Sequence, residues 1–247
     1  MSIILALALR PTDVNVPQFE RLYDGYMTLY DGISIVTPSD VDMGRVDLLR
    51  SYDRVRVLNG AAGVENRRYR TLQQALEFED VAAVHYCDGD HALNRFERDP
   101  DDWHMTVDAI RDVDCLIIGR TQAVFESYPP ALYETERIIN DVVSHLLGQR
   151  VDLGSGARGF SRAAAEYIIA QDSPASHPVA VDAAWPVMLD TAGFTVGTVL
   201  SNGAYYDVSN EATRQRLESK TQWIKRVEMA REIIAAGIRA AEGRYGA

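Results

Sequence analysis

The sequence predicts a single α/β domain with a mostly parallel central sheet flanked by helices and a long C-terminal helix. Three observations point there. Short apolar runs bounded by turn residues recur along the first half of the chain, and stretches with helical spacing separate them. One of those runs ends in two carboxylates around a glycine, Asp88-Gly89-Asp90. The chain has 247 residues and is 47% hydrophobic, which is enough for one large core. No internal repeat, low-complexity tract or Gly/Ser linker marks a second domain.

The first element is the apolar run 3–9, a buried strand. It is too short to span a membrane, and Arg10-Pro11 comes next without a small-residue cleavage site. A helix is expected over 17–30, with Pro17 at an early helical position. A strand is expected at 33–37, then a helix at 41–52 with Ser39 or Asp40 as its N-cap. A third strand at 55–58, a helix at 66–78 and a fourth strand at 82–87 lead to the acidic motif. Beyond it come a strand at 115–119, a helix at 130–147, a Gly-rich stretch at 154–159, a helix at 161–170 and a loop through Pro174 and Pro178. Residues 211–241 read as a long helix with Leu217, Ile224, Val227, Ile234 and Ile238 near one face. Its mixed Glu and Arg favour packing on the domain or pairing with a second subunit over a membrane surface.

Composition narrows the partners. A net charge of −11, with Lys and Arg scattered, would repel a phosphate backbone, so nucleic acid is not expected. Cys87 and Cys115 sit in apolar runs without CxxC spacing and read as reduced core residues of a cytoplasmic protein.

The sharpest chemical signal is the strand VAAVHYC running into Asp88-Gly89-Asp90. Ligand sites in open α/β sheets lie at the carboxyl ends of strands, where these acids fall. Gly89 permits the turn that lets both acids aim at one hard cation, and oxygen ligands suit Mg2+ or Mn2+. An ordinary acidic turn is the plain alternative. Upstream, Asn59-Gly60 and Gly63 stand at a strand end, and Arg67, Arg68 and Arg70 open the next helix. Arginines beside a helix N-terminus make a natural pyrophosphate site. For Arg70 a solvated basic face is the better reading.

On these residues the order of elements resembles the family-2-like and mannosylglycerate-synthase-like glycosyltransferases of the GT-A, Rossmann-like fold. The resemblance makes Arg10-Pro11-Thr12 the nucleotide-contacting loop and residues 63–68 the Gly- and Arg-containing entry to a helix closed by Leu76. Thr37 and Asn59 join this donor side, and Asp88-Gly89-Asp90 becomes the DxD motif, with Asp88 and Asp90 as metal ligands. Ile118-Gly119-Arg120 resembles the following strand, and 152–162, including Gly154, the Gly-rich acceptor segment. Asp182 stands where the family places an acid ahead of a helix, then Gly, then strand, which implies a catalytic or acceptor-positioning role, with a plain helix N-cap as the structural alternative and Asp152 as the next catalytic candidate. Trp185, three residues on, is a candidate acceptor-side stacking residue. The chain departs from the pattern in Thr12-Asp13, in the unpaired Asp182 and in having no His after His177. The resemblance implies residues 1–208 as the glycosyltransferase domain, a nucleotide-sugar half at 1–120 and an acceptor half at 121–208, with a helical extension at 209–247.

The implied reaction is transfer of a sugar from a UDP- or GDP-sugar to a hydroxyl acceptor, with Mn2+ or Mg2+. The alternatives are a nucleotidyltransferase and a non-catalytic nucleotide-sugar-binding protein. The first usually carries a Gly-rich loop with Arg and Lys after its first strand, where this chain reads RPTDVNV. A NAD(P) oxidoreductase is disfavoured because no GxGxxG comes after that strand. His85, inside an apolar strand, reads as a hydrogen-bonded core residue, and His91 as either site-facing or solvated. Trp103, Tyr128 and Tyr205 read mainly as core or interface.

Overall fold

A computed structural model describes residues 2–60, 66–173, 175–203, 205 and 219–243. Four strands open the fold, β1 (Ser2–Ala8), β2 (Gly32–Thr37), β3 (Val55–Asn59) and β4 (Val81–Asp88). Helices α1 (Asn15–Leu29), α2 (Met43–Arg50) and α3 (Arg67–Ala75) connect them. After β4 come α4 (Gly89–Arg98), α5 (Pro100–Ala109), β5 (Cys115–Arg120), α6 (Gln122–Glu126) and α7 (Pro130–Leu147). The rest of the chain forms β6 (Ala157–Ser161), α8 (Arg162–Gln171), α9 (Val181–Thr191), β7 (Val196–Ser201) and α10 (Lys220–Ala241). Among the described residues the strands form one sheet in the order β3-β2-β1-β4-β6-β5-β7. Every pairing is parallel except those of β6, which runs antiparallel between β4 and β5.

The expected α/β architecture is present. The chain winds outward from β1 to β3 and then returns through α3 to lay β4 against the other side of β1. That reversal puts a crevice at the carboxyl ends of β1 and β4, the place where open α/β sheets bind ligands. Strand side chains alternate faces, so β4 divides its residues between two cores. Val84 and Tyr86 join the layer with α3, α7, α8, α9 and α10, while Ala83 and Cys87 join the layer with α1, α4 and α5. Both cysteines are buried and free.

Several local expectations are corrected. The N-cap of α2 is Asp42, which accepts from the Arg45 N–H at 3.1 Å, and not Ser39 or Asp40. The Gly-rich stretch continues into β6, a strand too short and too small in its side chains to show alternation. The acidic motif does not end in a loop, because Gly89 and Asp90 already belong to α4. On α10 the inward face is Ala230, Ile233, Ala236, Gly237 and Ala240, one step round from the expected stripe. Small residues there, with Ala180 at the N-cap of α9 and Ala183 and Ala184 within it opposite, let the two helices approach closely. Ile224, Val227 and Ile238 stay exposed, and Leu217 with the boundary at 208/209 lies outside the described residues. No helix among the described residues is long and apolar enough to cross a membrane.

His85 is a core residue, hydrogen-bonded through Nδ1 to the Tyr30 hydroxyl at 2.7 Å and fully buried. Burial, aided by the nearby Arg95 cation, holds its pKa down from 6.5 to about 3. The unfolded chain takes up this proton near pH 6.5 and the folded protein does not until about pH 3, so stability falls as pH drops across that window. Between pH 6.5 and about 5, above the carboxylate range, the loss from this group is about 2 kcal/mol. Melting curves of His85→Gln against pH are expected to lack this slope.

Candidate active site

The crevice is built from the ends of β1 and β4, the start of α3, the loop before β6 and the first turn of α9. Asp88 closes β4, and its N–H donates to the Gly156 carbonyl at 3.0 Å. Gly156 has φ +64°, and a Cβ there would come within 2.6 Å of Asp88 Oδ2. Only glycine satisfies both the left-handed backbone and the contact. A Cβ on Gly89 would meet the Leu9 side chain at 2.6 Å, which fixes the close passage of α4 past β1. Asp90 lies in the first turn of α4, exposed to solvent.

Arg68 organises the centre. Its Nη2 donates to Asp88 Oδ2 at 2.9 Å and its Nη1 to Asp182 Oδ1 at 2.6 Å, so one guanidinium ties β4 to α9. Tyr86, two residues before Asp88 and on the same strand face, donates its hydroxyl to Asp88 Oδ1 at 2.6 Å. The Arg68 side chain is 17% exposed, Asp182 19% and Asp88 25%. Burial works against the Arg68 cation, yet Asp182 and Asp88 outweigh it and hold its pKa well above the ordinary value. Burial likewise works against the Asp88 anion, but Arg68, His91 and the Tyr86 hydroxyl keep that carboxyl below the ordinary aspartate range. Asp182 is not the N-cap of α9: Ala180 precedes the helix and Asp182 sits in its first turn. Arg158, buried on β6, donates to the Asp182 carbonyl at 3.3 Å and so pins that turn.

Two cavities meet at Arg68 and Asp88. The larger, of about 550 Å3, is lined by Arg10 and Thr12 after β1, Asn15, Arg67, Asp90 and Pro178 among others. The smaller, of about 230 Å3, runs between α7, α10 and the loop ahead of β6 and includes His91, Tyr128, Gly154 and Asp182. His91 therefore faces the site, from a helix, with Nδ1 3.1 Å from the Ser155 carbonyl. Arg10 also pairs with Asp40 at 2.8 Å on the surface, and Thr12 Oγ1 accepts from the Asn15 N–H at 3.1 Å. Arg67 is exposed and Pro11 is buried beside the loop. Gly63 lies outside the described residues.

Other expected site residues fall elsewhere. Thr37 and Asn59 bond each other at 3.2 Å across β2 and β3 and line neither cavity. Trp185 is not an acceptor platform: it is 1% exposed, its Nε1 donates to Asp172 at 2.5 Å, and its ring meets Tyr86 and Phe160 edge-on. A catalytic Asp152 is corrected too. Arg120 grips it through Nε at 2.7 Å and Nη2 at 2.6 Å, and Asn140 adds a third side-chain bond at 2.8 Å. Despite burial, these donors hold its carboxyl below the ordinary range, and no lone pair is left for a substrate proton. Gly154, by contrast, does line the smaller cavity, and it abuts this cluster, because a Cβ there would overlap the Arg120–Glu136 ion pair. Tyr86, Gly156, Arg158, Glu136 and Arg226 are site residues that sequence reasoning does not single out. For Tyr86 the same-face spacing from Asp88 is a usable signal.

The metal expectation can be tested on the donors present. Asp88 and Asp90 line one cavity, and Asp88 is held ionised, which suits a hard cation whose remaining positions go to phosphate oxygens and water. Among the described residues no third His, Cys, Asp or Glu completes a cluster with them. The set fits a two-carboxylate site that depends on the substrate for its other ligands.

No protein-family model and no curated protein matches the sequence. Solved structures do match in shape. Mannosyl-3-phosphoglycerate synthase from Rubrobacter xylanophilus superposes with TM-score 0.59 at 14% identity, over 99% of this chain and 75% of that one. Glucosyl-3-phosphoglycerate synthase from Mycobacterium tuberculosis, in complex with Mn2+, UDP-glucose and phosphoglyceric acid, gives 0.54 at 13% over 98% and 80%. The fold is that of the GT-A glycosyltransferases. A 4-diphosphocytidyl-2C-methyl-D-erythritol synthase from Anaerococcus prevotii shares the shape as well, with TM-score 0.53 at 15% identity over 90% of this chain and 98% of that one. At such identities the likeness carries the fold, and the activity rests on the site.

Proposed function

We propose that the protein is a glycosyltransferase that moves a sugar from a UDP- or GDP-sugar to a hydroxyl acceptor, with Mn2+ or Mg2+ held by Asp88 and Asp90. The observation that carries this reading is the position of Asp88 and Arg68 at the sheet's switch point, where a larger cavity lined by Arg10, Arg67 and Asp90 meets a second, smaller one. The diphosphate lies in the larger cavity against Arg67 and Arg68 near the N-terminus of α3, with Arg10 and Thr12 toward the nucleoside. The acceptor enters from the smaller one. Neighbours named as mannosyl- and glucosyl-3-phosphoglycerate synthases, the second holding Mn2+ and UDP-glucose, support the choice.

In the transfer, the bond between the anomeric carbon and the β-phosphate oxygen breaks, and its electron pair leaves with the diphosphate. The acceptor oxygen bonds to that carbon. Its proton passes to Asp182 if the configuration inverts, or to the departing phosphate if it is retained. Arg68 holds Asp182 Oδ1, which leaves Oδ2 for the hydroxyl. A bound metal would neutralise the charge that grows on the diphosphate.

Melting curves with UDP, GDP, CDP and ADP, with and without Mn2+, test the reading. One diphosphate is expected to raise the melting temperature by about 5 °C at a hundredfold excess over its Kd, and Mn2+ to enlarge the shift. Asp90→Ala should keep the fold and lose the Mn2+ increment. Absence of any diphosphate shift at saturating metal would sink the proposal, and stabilisation by nucleoside triphosphates alone would favour nucleotidyl transfer.

A further inference from the structure

The core on the opposite face of β4 from Tyr86 contains a cation with no counter-ion. Arg95, on α4, is 2% exposed, and its Nε, Nη1 and Nη2 are buried without a hydrogen-bond partner. Among the described residues no carboxylate pairs with it. We propose that Arg95, His85 and Tyr26 form an internal site for one small monovalent anion of halide size.

The donors gathered about Arg95 lead there. Its guanidinium carbon lies 5.4 Å from the Trp103 ring centroid, and the rings of His85 and Tyr26 lie 4.8 and 6.1 Å from the same ring. The Trp103 N–H points toward the Tyr30 oxygen, off-line for a full hydrogen bond. That leaves the Tyr30 hydroxyl hydrogen for His85 Nδ1, 2.7 Å away. Neutral His85 then carries its own proton on Nε2, which is buried and unpartnered, as is the Tyr26 hydroxyl. Guanidinium, imidazole N–H and phenol O–H all offer hydrogens with nothing to receive them.

Charge decides between an anion and water. Water can satisfy donors, but it leaves the cation uncompensated among aromatic rings, where an isolated ion is costly. The π-face of Trp103 attracts the guanidinium and supplies no lone pair to its N–H groups. Three neighbouring acids could ionise to meet the charge, and at neutral pH none does. Burial pushes the Cys87 thiol up to about 12 and holds the Tyr26 and Tyr30 phenols well above their ordinary value. One uncompensated positive charge calls for one negative charge. Tyr26 stacks on Phe96 with ring centroids 4.6 Å apart, and packing this close favours an ion without a carbon skeleton.

Melting curves at one ionic strength in sodium chloride, sodium bromide and sodium gluconate test the site. Both halides are expected to raise the melting temperature above its value in gluconate, by about 5 °C at a hundredfold excess over the Kd. Arg95→Met should lose that increment. Tyr26→Phe, which removes one donor and keeps the ring, should weaken halide binding about tenfold. Crystals grown in bromide should show an anomalous peak beside the guanidinium. Equal melting in all three salts, the same halide increment in Arg95→Met as in the native chain, or a water without anomalous signal at Arg95 would each overturn the assignment. If Arg95→Met does not fold, Tyr26→Phe and the anomalous map decide it.

Discussion

Replacing Arg68 with Met is expected to cost about 2–3 kcal/mol of stability and to weaken diphosphate binding about ten- to hundredfold. The side chain spans from β4 to α9, and its loss leaves Asp88 and Asp182 facing each other in a half-buried crevice without a cation between them. The stability cost carries a pH signature. Asp88 titrates below its ordinary 3.8 in the folded protein, so its stabilising effect is full above that value and is lost as pH falls through the folded pKa. The gap in melting temperature between the native chain and Arg68→Met should therefore be widest near neutral pH and close below about pH 4. Arg67→Ala, on the exposed rim of the same cavity, is the matched control, expected to lose affinity with little loss of stability. An Arg68→Met protein that melts like the native one at pH 7 would show that the two carboxylates do not need it.

Asp182→Asn is expected to lower turnover by about 100- to 10,000-fold once a substrate pair is in hand, while nucleotide binding persists. The amide keeps the shape and can still face Arg68, but it cannot take a proton. Because Asp182 lies in the first turn of α9 and is not its cap, the structural cost is confined to a favourable helix-dipole contact and the charge of one ion pair, about 1 kcal/mol together. Steady-state rates and melting curves measured on the same preparation separate the outcomes. A fully active variant would leave Asp182 as an anchor for Arg68. With Asp152 saturated by Arg120, a retaining path through the phosphate would then gain ground.

Much of the first half of the fold is legible in the chain. Apolar runs with helical spacing between them place β1 to β4 and α1 to α3 to within a few residues, because β1, β2 and β4 are largely buried and read as continuous runs, while β3, at the sheet edge, keeps only an alternating pattern. Asp88-Gly89-Asp90 is readable for the same reason, as the abrupt polar end of such a run. The second half is harder. Ala157–Ser161 has little alternation to detect, since a small residue, an arginine and a glycine share its five positions. Asp152 and Trp185 mislead in a common way. Each looks like site chemistry in one dimension, yet each is consumed by a partner distant in sequence, Arg120 in one case and Asp172 in the other. Pairings of that kind become visible only when the chain is folded, and Glu136 with Arg226 is a third.

The reversed direction of β6 has a consequence for how this protein can diversify. A parallel strand presents its C-terminal loop to the crevice, whereas β6 presents the loop on its N-terminal side. The excursion that leaves the sheet at Arg120 and returns at Ala157 thus begins and ends at the same end of the sheet. It carries α6, α7 and the glycine-bearing turn, and it encloses one wall of the smaller cavity. Substitutions or length changes within that excursion can reshape the wall while the register of β1 to β4 is untouched. The fold separates a fixed platform from a variable module, so one wall of the smaller cavity can change shape while the walls that β1, α3 and β4 give the larger cavity stay as they are.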